Sequence, residues 1–357
     1  MITKYIELPN WQEEGSEPKL TEAVQEPAEI IRSGGLVAFP TETVYGLGAN
    51  GLDAQAAKKI YEAKGRPSDN PLILHIAEME TLSGIVKEIP EMAVKLAERF
   101  WPGPLTMVFP KADCVPDGTT GGLPTVAVRM PEHPVALALI RSAGVPIAAP
   151  SANTSGRPSP TEAEHVREDM NGRIDCILDG GAVGIGLEST IVDVTGEEPV
   201  ILRPGCITRE MLEEVLGQVD VDPAILTDKP DPNLKPKAPG MKYRHYAPKA
   251  DMLICEGSEE AVVTYINARI EAAHQDGKRV GVLATDATRD RYRADLILSV
   301  GDRERDETIA HNLFQVLRNF DEAEVDEIYS ESFSELRLSM AIMNRLMKAA
   351  GYHRIQV

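Results

Sequence analysis

GGLVAFPTETVYGLGANGLDAQAAKKIYEAKGRPSDNPLILHI, residues 34–76, is the stretch on which the reading of this chain turns. An apolar run, Leu36 to Phe39, stops at Pro40, and a turn rich in Thr and Gly follows. A helix is expected from about Asp53. Ala56, Ala57, Ile60 and Ala63 give it an apolar face, Asp53 can cap its start, and Gly65 can supply the left-handed residue that closes it. Pro67 and Pro71 punctuate a loop, and a new strand is expected over Leu72 to Ile76. Thr41, Thr43, Tyr45, Lys64, Arg66, Asn70 and His75 all fall at or near the ends of these elements, where a rigid scaffold presents ligand contacts.

Taken singly, Gly and Thr between a strand and a helix are ordinary turn formers, and Lys-Gly-Arg at a helix end is a cation set against the helix dipole. The order is more specific than its parts. Pro40-Thr41-Glu42-Thr43-Val44-Tyr45-Gly46-Leu47-Gly48 followed by Lys64-Gly65-Arg66-Pro67 resembles the opening of the YrdC-like domain of the threonylcarbamoyl-AMP synthase family.

At 357 residues the chain is long for one core, so two domains are expected. No apolar run approaches the ~20 residues of a membrane span. The start, MITKYIELPN, lacks the basic and apolar blocks of a secretion signal, so a cytoplasmic protein is expected. Four cysteines, at 114, 176, 206 and 255, show no metal-ligand or disulfide spacing and read as buried thiols. A net charge of −19 opposes non-specific binding to phosphate backbones.

Outward from the opening stretch, a strand at Tyr5 to Leu8 and a helix at Thr21 to Arg32 precede it. Helices at Met79 to Val86 and Pro90 to Phe100 follow, and then Trp101-Pro102-Gly103-Pro104-Leu105-Thr106 reads as a packed corner opening a strand to Phe109. An alternating strand, Thr125 to Met130, carries Arg129. After a helix at Val135 to Ser142 and a strand at Val145 to Ala149, Pro150 leads into the turn Ser151-Ala152-Asn153. Further strands are expected at Ile174 to Leu178, from Glu188-Ser189-Thr190 onward, and at Val200 to Arg203, with a helix at Thr208 to Leu216. These pieces extend the resemblance: Lys64-x-Arg66 with Ser151-x-Asn153 reproduces the family's KxR and SxN tetrad, and Ser189-Thr190-Ile191-Val192-Asp193 and Leu202-Arg203-Pro204-Gly205 match it as well.

From 217 to 250 prolines are dense and paired apolar residues few, which marks an extended linker. Its run 238–248, APGMKYRHYAP, resembles the segment of the long, two-domain synthases that reaches back over the active site. Beyond Asp251, strands at Met252–Cys255, Arg279–Ala284, Asp295–Val300 and Asp326–Ser330 alternate with helices at Glu259–His274, Glu307–Asn319 and Glu335–Ala350. Such alternation predicts a small parallel sheet with helices on its faces. No dinucleotide or Walker motif accompanies it. The organisation expected is residues 1–216, a linker at 217–250, and 251–357.

The resemblance implies a twisted, open, mixed α/β sheet flanked by helices, followed by a smaller Rossmann-like parallel α/β domain. It implies condensation of L-threonine, bicarbonate or carbon dioxide, and ATP into threonylcarbamoyl-adenylate and pyrophosphate, a nucleotidyltransferase reaction. The product would serve modification of adenosine 37 of tRNA by separate transferase machinery, with direct tRNA contact weak and no membrane partner. By resemblance, Lys64, Arg66, Ser151 and Asn153 form the catalytic set, and Arg66, Asn70, Thr125, Ser151, Ser159 and Arg203 contact ATP. Thr43, His75, Arg129 and Ser189 hold threonine, Ser151 and Asn153 help to place Mg²⁺, and Tyr243, His245 and Tyr246 form a lid. Where some relatives carry Thr two residues before Ser151, this chain has Ala149, which keeps a backbone contact and loses a hydroxyl. Independently of the resemblance, cations and hydroxyls at loop mouths suit a polyanion better than acyl hydrolysis. An RNA-binding module, motivated by Lys235, Lys237, Lys242, Arg244 and Lys249, is the rival reading, and a carbamoyl-adenylate reaction as in hydrogenase maturation is a second.

Overall fold

The computed structural model describes residues 2–8, 11, 15–225, 236–239, 241, 245–334 and 336–357. It divides into two compact units. The first comprises Met1–Ser155, Ser159–Gly184 and Glu188–Lys242, and the second Gly156–Pro158, Ile185–Leu187 and Tyr243–Val357.

In the first unit the chain runs β1 (Lys4–Glu7), α1 (Glu17–Ala23), α2 (Gln25–Arg32), β2 (Val37–Phe39), β3 (Gly46–Asn50), α3 (Ala54–Lys64), β4 (Ile73–His75), α4 (Met79–Ile85) and α5 (Glu91–Phe100). It continues through β5 (Leu105–Pro110), α6 (Asp117–Thr120), β6 (Thr125–Arg129), α7 (Pro134–Ala143), β7 (Ile147–Ala148), α8 (Ala163–Met170), β8 (Cys176–Asp179), β9 (Thr190–Asp193), β10 (Val200–Arg203), α9 (Arg209–Leu216) and β11 (Asp220–Val221). Among the described residues eleven strands make one mixed sheet, in the order β1-β8-β2-β3-β7-β4-β6-β5-β9-β10-β11.

The opening stretch folds much as its residues dictate. Asp53 caps α3 by accepting from the Gln55 amide, and Gly65, at φ 62°, ends it in the left-handed conformation that glycine adopts without strain. One expectation is corrected: residues 46–50, read as a Gly-rich turn, form β3, antiparallel to β2 and β7. Glycine has low strand propensity, but tertiary packing overrides it. A Cβ on Gly48 would lie 2.8 Å from both Ile147 and Phe39, so only glycine lets these strands and side chains close up. Likewise, the single helix expected at 21–32 is two, broken at Val24. The short α8 and the three-residue edge strand β16 were not foreseen, being too brief for periodicity to register.

One sheet face packs under α3, α4, α5 and α9, with Leu47, Leu74, Met107, Val128 and Val192 in its core. The opposite face carries Val37, Phe39, Ile147 and Ala149 under α1, α2 and α7. Further along that face, Ile73, Val108, Ala127, Ile191 and Leu202 form an apolar patch to which no helix among the described residues contributes. Ala238, fully buried, and Met241 complete it. The segment read as an unpacked linker therefore lays at least these two side chains on the sheet. Of the cysteines, Cys176 and Cys255 are buried, their thiols pushed up to about 12 by desolvation, whereas Cys114 is exposed and Cys206 partly so.

The second unit contains β12 (Asp251–Glu256), α10 (Glu259–Gln275), β13 (Val280–Ala284), β14 (Leu296–Ser299), α11 (Asp306–Glu322), β15 (Glu327–Glu331), α12 (Ser339–Ala349) and β16 (Arg354–Gln356). The five strands are parallel, in the order β14-β13-β15-β12-β16. Val280 and Val282 pack with α10, while Gly281 abuts Phe320 of α11, so the helices cover both faces. No helix among the described residues is long and apolar enough to cross a membrane.

Candidate active site

Strand register gathers the polar residues of the first unit on the face that carries the apolar patch. His75 pairs with both Ile147 and Arg129, Arg129 with Thr106, and Thr106 with Ile191, two residues after Ser189. Alternation then points His75, Arg129, Thr106 and Ser189 to the side of Ile73, Ala127, Val108 and Ile191.

Arg129, at the end of β6, is buried. Its Nη1 donates to Thr43 Oγ1 at 2.9 Å and its Nε to the Gly103 carbonyl at 3.3 Å. Its Nη2 lies 2.6 Å from Glu42 Oε1, although neither Glu42 oxygen nor Nη2 makes a well-aligned hydrogen bond. Thr41 Oγ1 donates to the Val44 carbonyl at 2.7 Å, so its 2.8 Å contact with Thr43 must run from the Thr43 hydroxyl. The tight Thr-Glu-Thr turn thus presents one hydroxyl and one carboxylate to one guanidinium.

His75 stands edge-on to Phe39, with ring centroids 6.2 Å apart, and its Nδ1 is buried without a hydrogen-bond partner. Burial, together with the Arg129 charge, pulls its pKa down to about 3, so the imidazole is neutral near pH 7. On the neighbouring strands Ser189 Oγ lies 2.8 Å from Thr106 Oγ1 and accepts from Arg203 Nη2 at 3.1 Å. Arg203 Nε donates to the Ser189 carbonyl. Thr106 was missed in the sequence, where its string was read as an inert corner. Its alternation with Val108 on a strand opposite Arg129 was the available signal.

A second group forms where α3 meets the turn after β7. The turn is tied to the sheet by Leu47 N donating to the Pro150 carbonyl and Ala152 N to that of Tyr45, both at 2.8 Å. Lys64 is buried and its ammonium donates to the carbonyls of Ser151 and Asn153. Ser151 Oγ donates to Asn153 Oδ1 at 2.5 Å, and Thr154 N to Asp169 Oδ2 at 3.0 Å. Lys64 therefore shapes the turn from inside.

The other residues singled out in the sequence occupy further positions. Arg66 donates to the carbonyls of Asn70 and Pro71, and buried Asn70 keeps its Oδ1 without a hydrogen-bond partner. Ser159 is buried and donates to Glu188 Oε1 at 2.6 Å. Thr125 begins the strand that Arg129 ends, roughly 13 Å away at ~3.3 Å per residue. Ala149 N donates to the Ile73 carbonyl at 2.9 Å. In the second unit the Tyr246 ring stacks on Phe314, centroids 5.0 Å apart, with Tyr246 in the left-handed region at φ 64°. His245 lies beside it. Tyr243 falls outside the described residues.

Buried guanidinium groups, hydroxyls and a neutral imidazole converging on one face of a mixed α/β sheet define a binder of anionic or zwitterionic small molecules. The comparisons sharpen this class. Residues 29–205 match the family model described as telomere recombination, and residues 207–351 that of the threonylcarbamoyl-AMP synthase C-terminal domain. The chain is 53% identical to the threonylcarbamoyl-AMP synthase of Bacillus subtilis over 94% of each chain. It is 54% identical to that of Pyrococcus abyssi over 92% of its own length and 94% of the relative's. The structure of P. abyssi Sua5 complexed with L-threonine superposes with a TM-score of 0.91 at 50% identity, covering 100% of both chains. This chain belongs to the threonylcarbamoyl-AMP synthase family and is a nucleotidyltransferase.

Proposed function

We propose that the first unit condenses L-threonine, bicarbonate or carbon dioxide, and ATP into L-threonylcarbamoyl-adenylate with release of pyrophosphate. The threonine amine captures carbon dioxide to give a carbamate. A carbamate oxygen then attacks the α-phosphorus of ATP, and pyrophosphate leaves with the electrons of the cleaved P–O bond. The observation that carries the reading is the meeting of two hydrogen-bonded groups, Thr43 with Arg129 and Thr106 with Ser189 and Arg203, brought side by side by the pairing of Arg129 with Thr106, with neutral His75 on the strand next to Arg129. The solved relative with L-threonine bound is consistent with an amino-acid site.

In this reading Arg129 takes the threonine carboxylate, while Thr43, His75 and Ser189 place the rest of the amino acid. As a neutral ring, His75 supplies a polar contact and no charge. Arg66, Asn70, Thr125, Ser151, Ser159 and Arg203 contact ATP, and the free Asn70 Oδ1 is an acceptor fit for an adenine amino group. Lys64 holds the Ser151–Asn153 turn in shape and adds positive charge near the phosphates. No covalent intermediate is required, so positioning and charge stabilisation carry the rate, with proximity alone contributing up to ~7–11 kcal/mol.

Among the described residues no group of three or more His, Cys, Asp or Glu side chains could hold a metal ion. The neutral oxygens of Ser151 and Asn153 fit Mg²⁺ that keeps most of its waters and is anchored by substrate phosphates. When bound, the ion neutralises triphosphate charge.

The product then serves tRNA adenosine-37 modification by separate transferase machinery in the cytoplasm, with Tyr243, His245 and Tyr246 excluding water from the labile adenylate. Pyrophosphate release that requires ATP, L-threonine and bicarbonate together is the expected result. Release without threonine, or none with all three, overturns the proposal. Full turnover by a variant lacking residues 243–247 overturns the water-excluding role.

A further inference from the structure

The carboxyl end of the parallel sheet in the second unit holds a cavity of about 230 Å³ that the reaction above does not use. It lies where β12 and β15 run side by side. The chain leaving β12 enters α10 on one face of the sheet, whereas the chain leaving β15 enters α12, which packs with α11. Connections that diverge in this way leave a crevice beyond the strand ends, the place where open α/β sheets bind small ligands.

Its lining offers both signs of charge. Arg303 donates through Nη2 to buried Glu331 at 2.7 Å and through Nη1 to the Ser332 carbonyl at 3.0 Å, with its guanidinium 5.1 Å from the Phe333 ring centre. A guanidinium has five N–H donors, so three are not used in these bonds. Glu331 is spent internally, accepting also from Tyr292 at 2.8 Å and from Thr288. The Ser332 and Ser334 hydroxyls lie 2.8 Å apart, and Ser334 donates to Glu256 at 2.9 Å. On the α10 side Glu256 faces Arg354 with one oxygen and accepts from Ser334 with the other, and Glu259 is paired with Arg291 through one oxygen.

We propose that this cavity binds a free α-amino acid, its carboxylate on the N–H groups of Arg303 not used in those bonds and its ammonium between Glu256 and Glu259. The volume is below the ~300–1,000 Å³ of sites for drug-sized molecules, which sets an amino acid as the scale of occupant. A polyanion such as pyrophosphate would face two carboxylates, and a simple cation would leave the guanidinium unanswered. The site stands independently of the reaction assigned to the first unit.

The test is calorimetric titration of the full-length protein with each proteinogenic L-amino acid and with pyrophosphate. Wild type is compared with Arg129→Ala, which silences the proposed threonine contact, with Glu256→Gln, and with Ser334→Phe, which plugs the mouth from an exposed position. Expected is an amino acid whose binding survives Arg129→Ala, weakens about tenfold or more in Glu256→Gln, and is lost in Ser334→Phe. Turnover of Ser334→Phe stays within about twofold of wild type, which shows that the chain still folds. Three outcomes overturn the proposal: binding confined to the Arg129-dependent site, wild-type titration by Ser334→Phe, or pyrophosphate as the ligand lost in that variant.

Discussion

Arg129 shows what a single guanidinium is asked to do: it reaches a threonine hydroxyl, a backbone carbonyl and a glutamate from one buried position. A lysine keeps the charge but not the fork, so Arg129→Lys is expected to lower kcat/KM for threonine about 10²-fold, roughly 3 kcal/mol, read by pyrophosphate release. His75 sets a pH dependence of stability. Its folded pKa, near 3, lies below that of an unfolded histidine near 6.5, so its contribution is intact above about 6.5. As pH falls from there toward 3, the unfolded chain binds a proton that the folded chain refuses, and stability drops by up to ~1.4 kcal/mol per unit. His133, lowered to about 4 by burial, adds to the same window. Urea midpoints at pH 7 and 5 should therefore converge in His75→Gln relative to wild type. At this scale the sequence was informative about residue type and not about partners. That Arg129 lies on a strand follows from alternation, whereas its pairing with Glu42 needs the turn between β2 and β3.

Elements position the site through two close fits. Lys64 joins α3 to the turn after β7, its ammonium on two carbonyls while its own carbonyl accepts from Ser155 N at 2.8 Å. Lys64→Met leaves those acceptors unanswered, and a loss of about 2 kcal/mol in denaturant unfolding is expected, with loss of activity. Gly48 is the second fit. A methyl there meets Ile147 and Phe39, so Gly48→Ala should cost ~1–3 kcal/mol even though alanine is elsewhere the better-behaved residue. These examples mark the limits of local reading. The cap at Asp53 and the closure at Gly65 are governed by near neighbours and were legible. The strand at 46–50 was not, because its reason lies about a hundred residues away in β7.

At the scale of the whole molecule, a mixed sheet and a parallel sheet were both readable, the second from strand and helix alternation and the first from the ordered motifs of the family. Sheet order was not, since long-range pairings such as β1 with β8 leave no trace in local pattern. The charge of −19 bears on partners. Retention on a tRNA matrix at about 0.15 M salt should be negligible, and tight retention would favour the RNA-binding alternative. The buried Ala238 has a further consequence. A protein shortened to end at residue 225 would retain every strand of the first unit among the described residues yet uncover the greasy surface made by Ile73, Val108, Ala127, Ile191 and Leu202. Such a fragment should clump with its own kind in light scattering, unless polar replacements at those five positions make it tolerant of water.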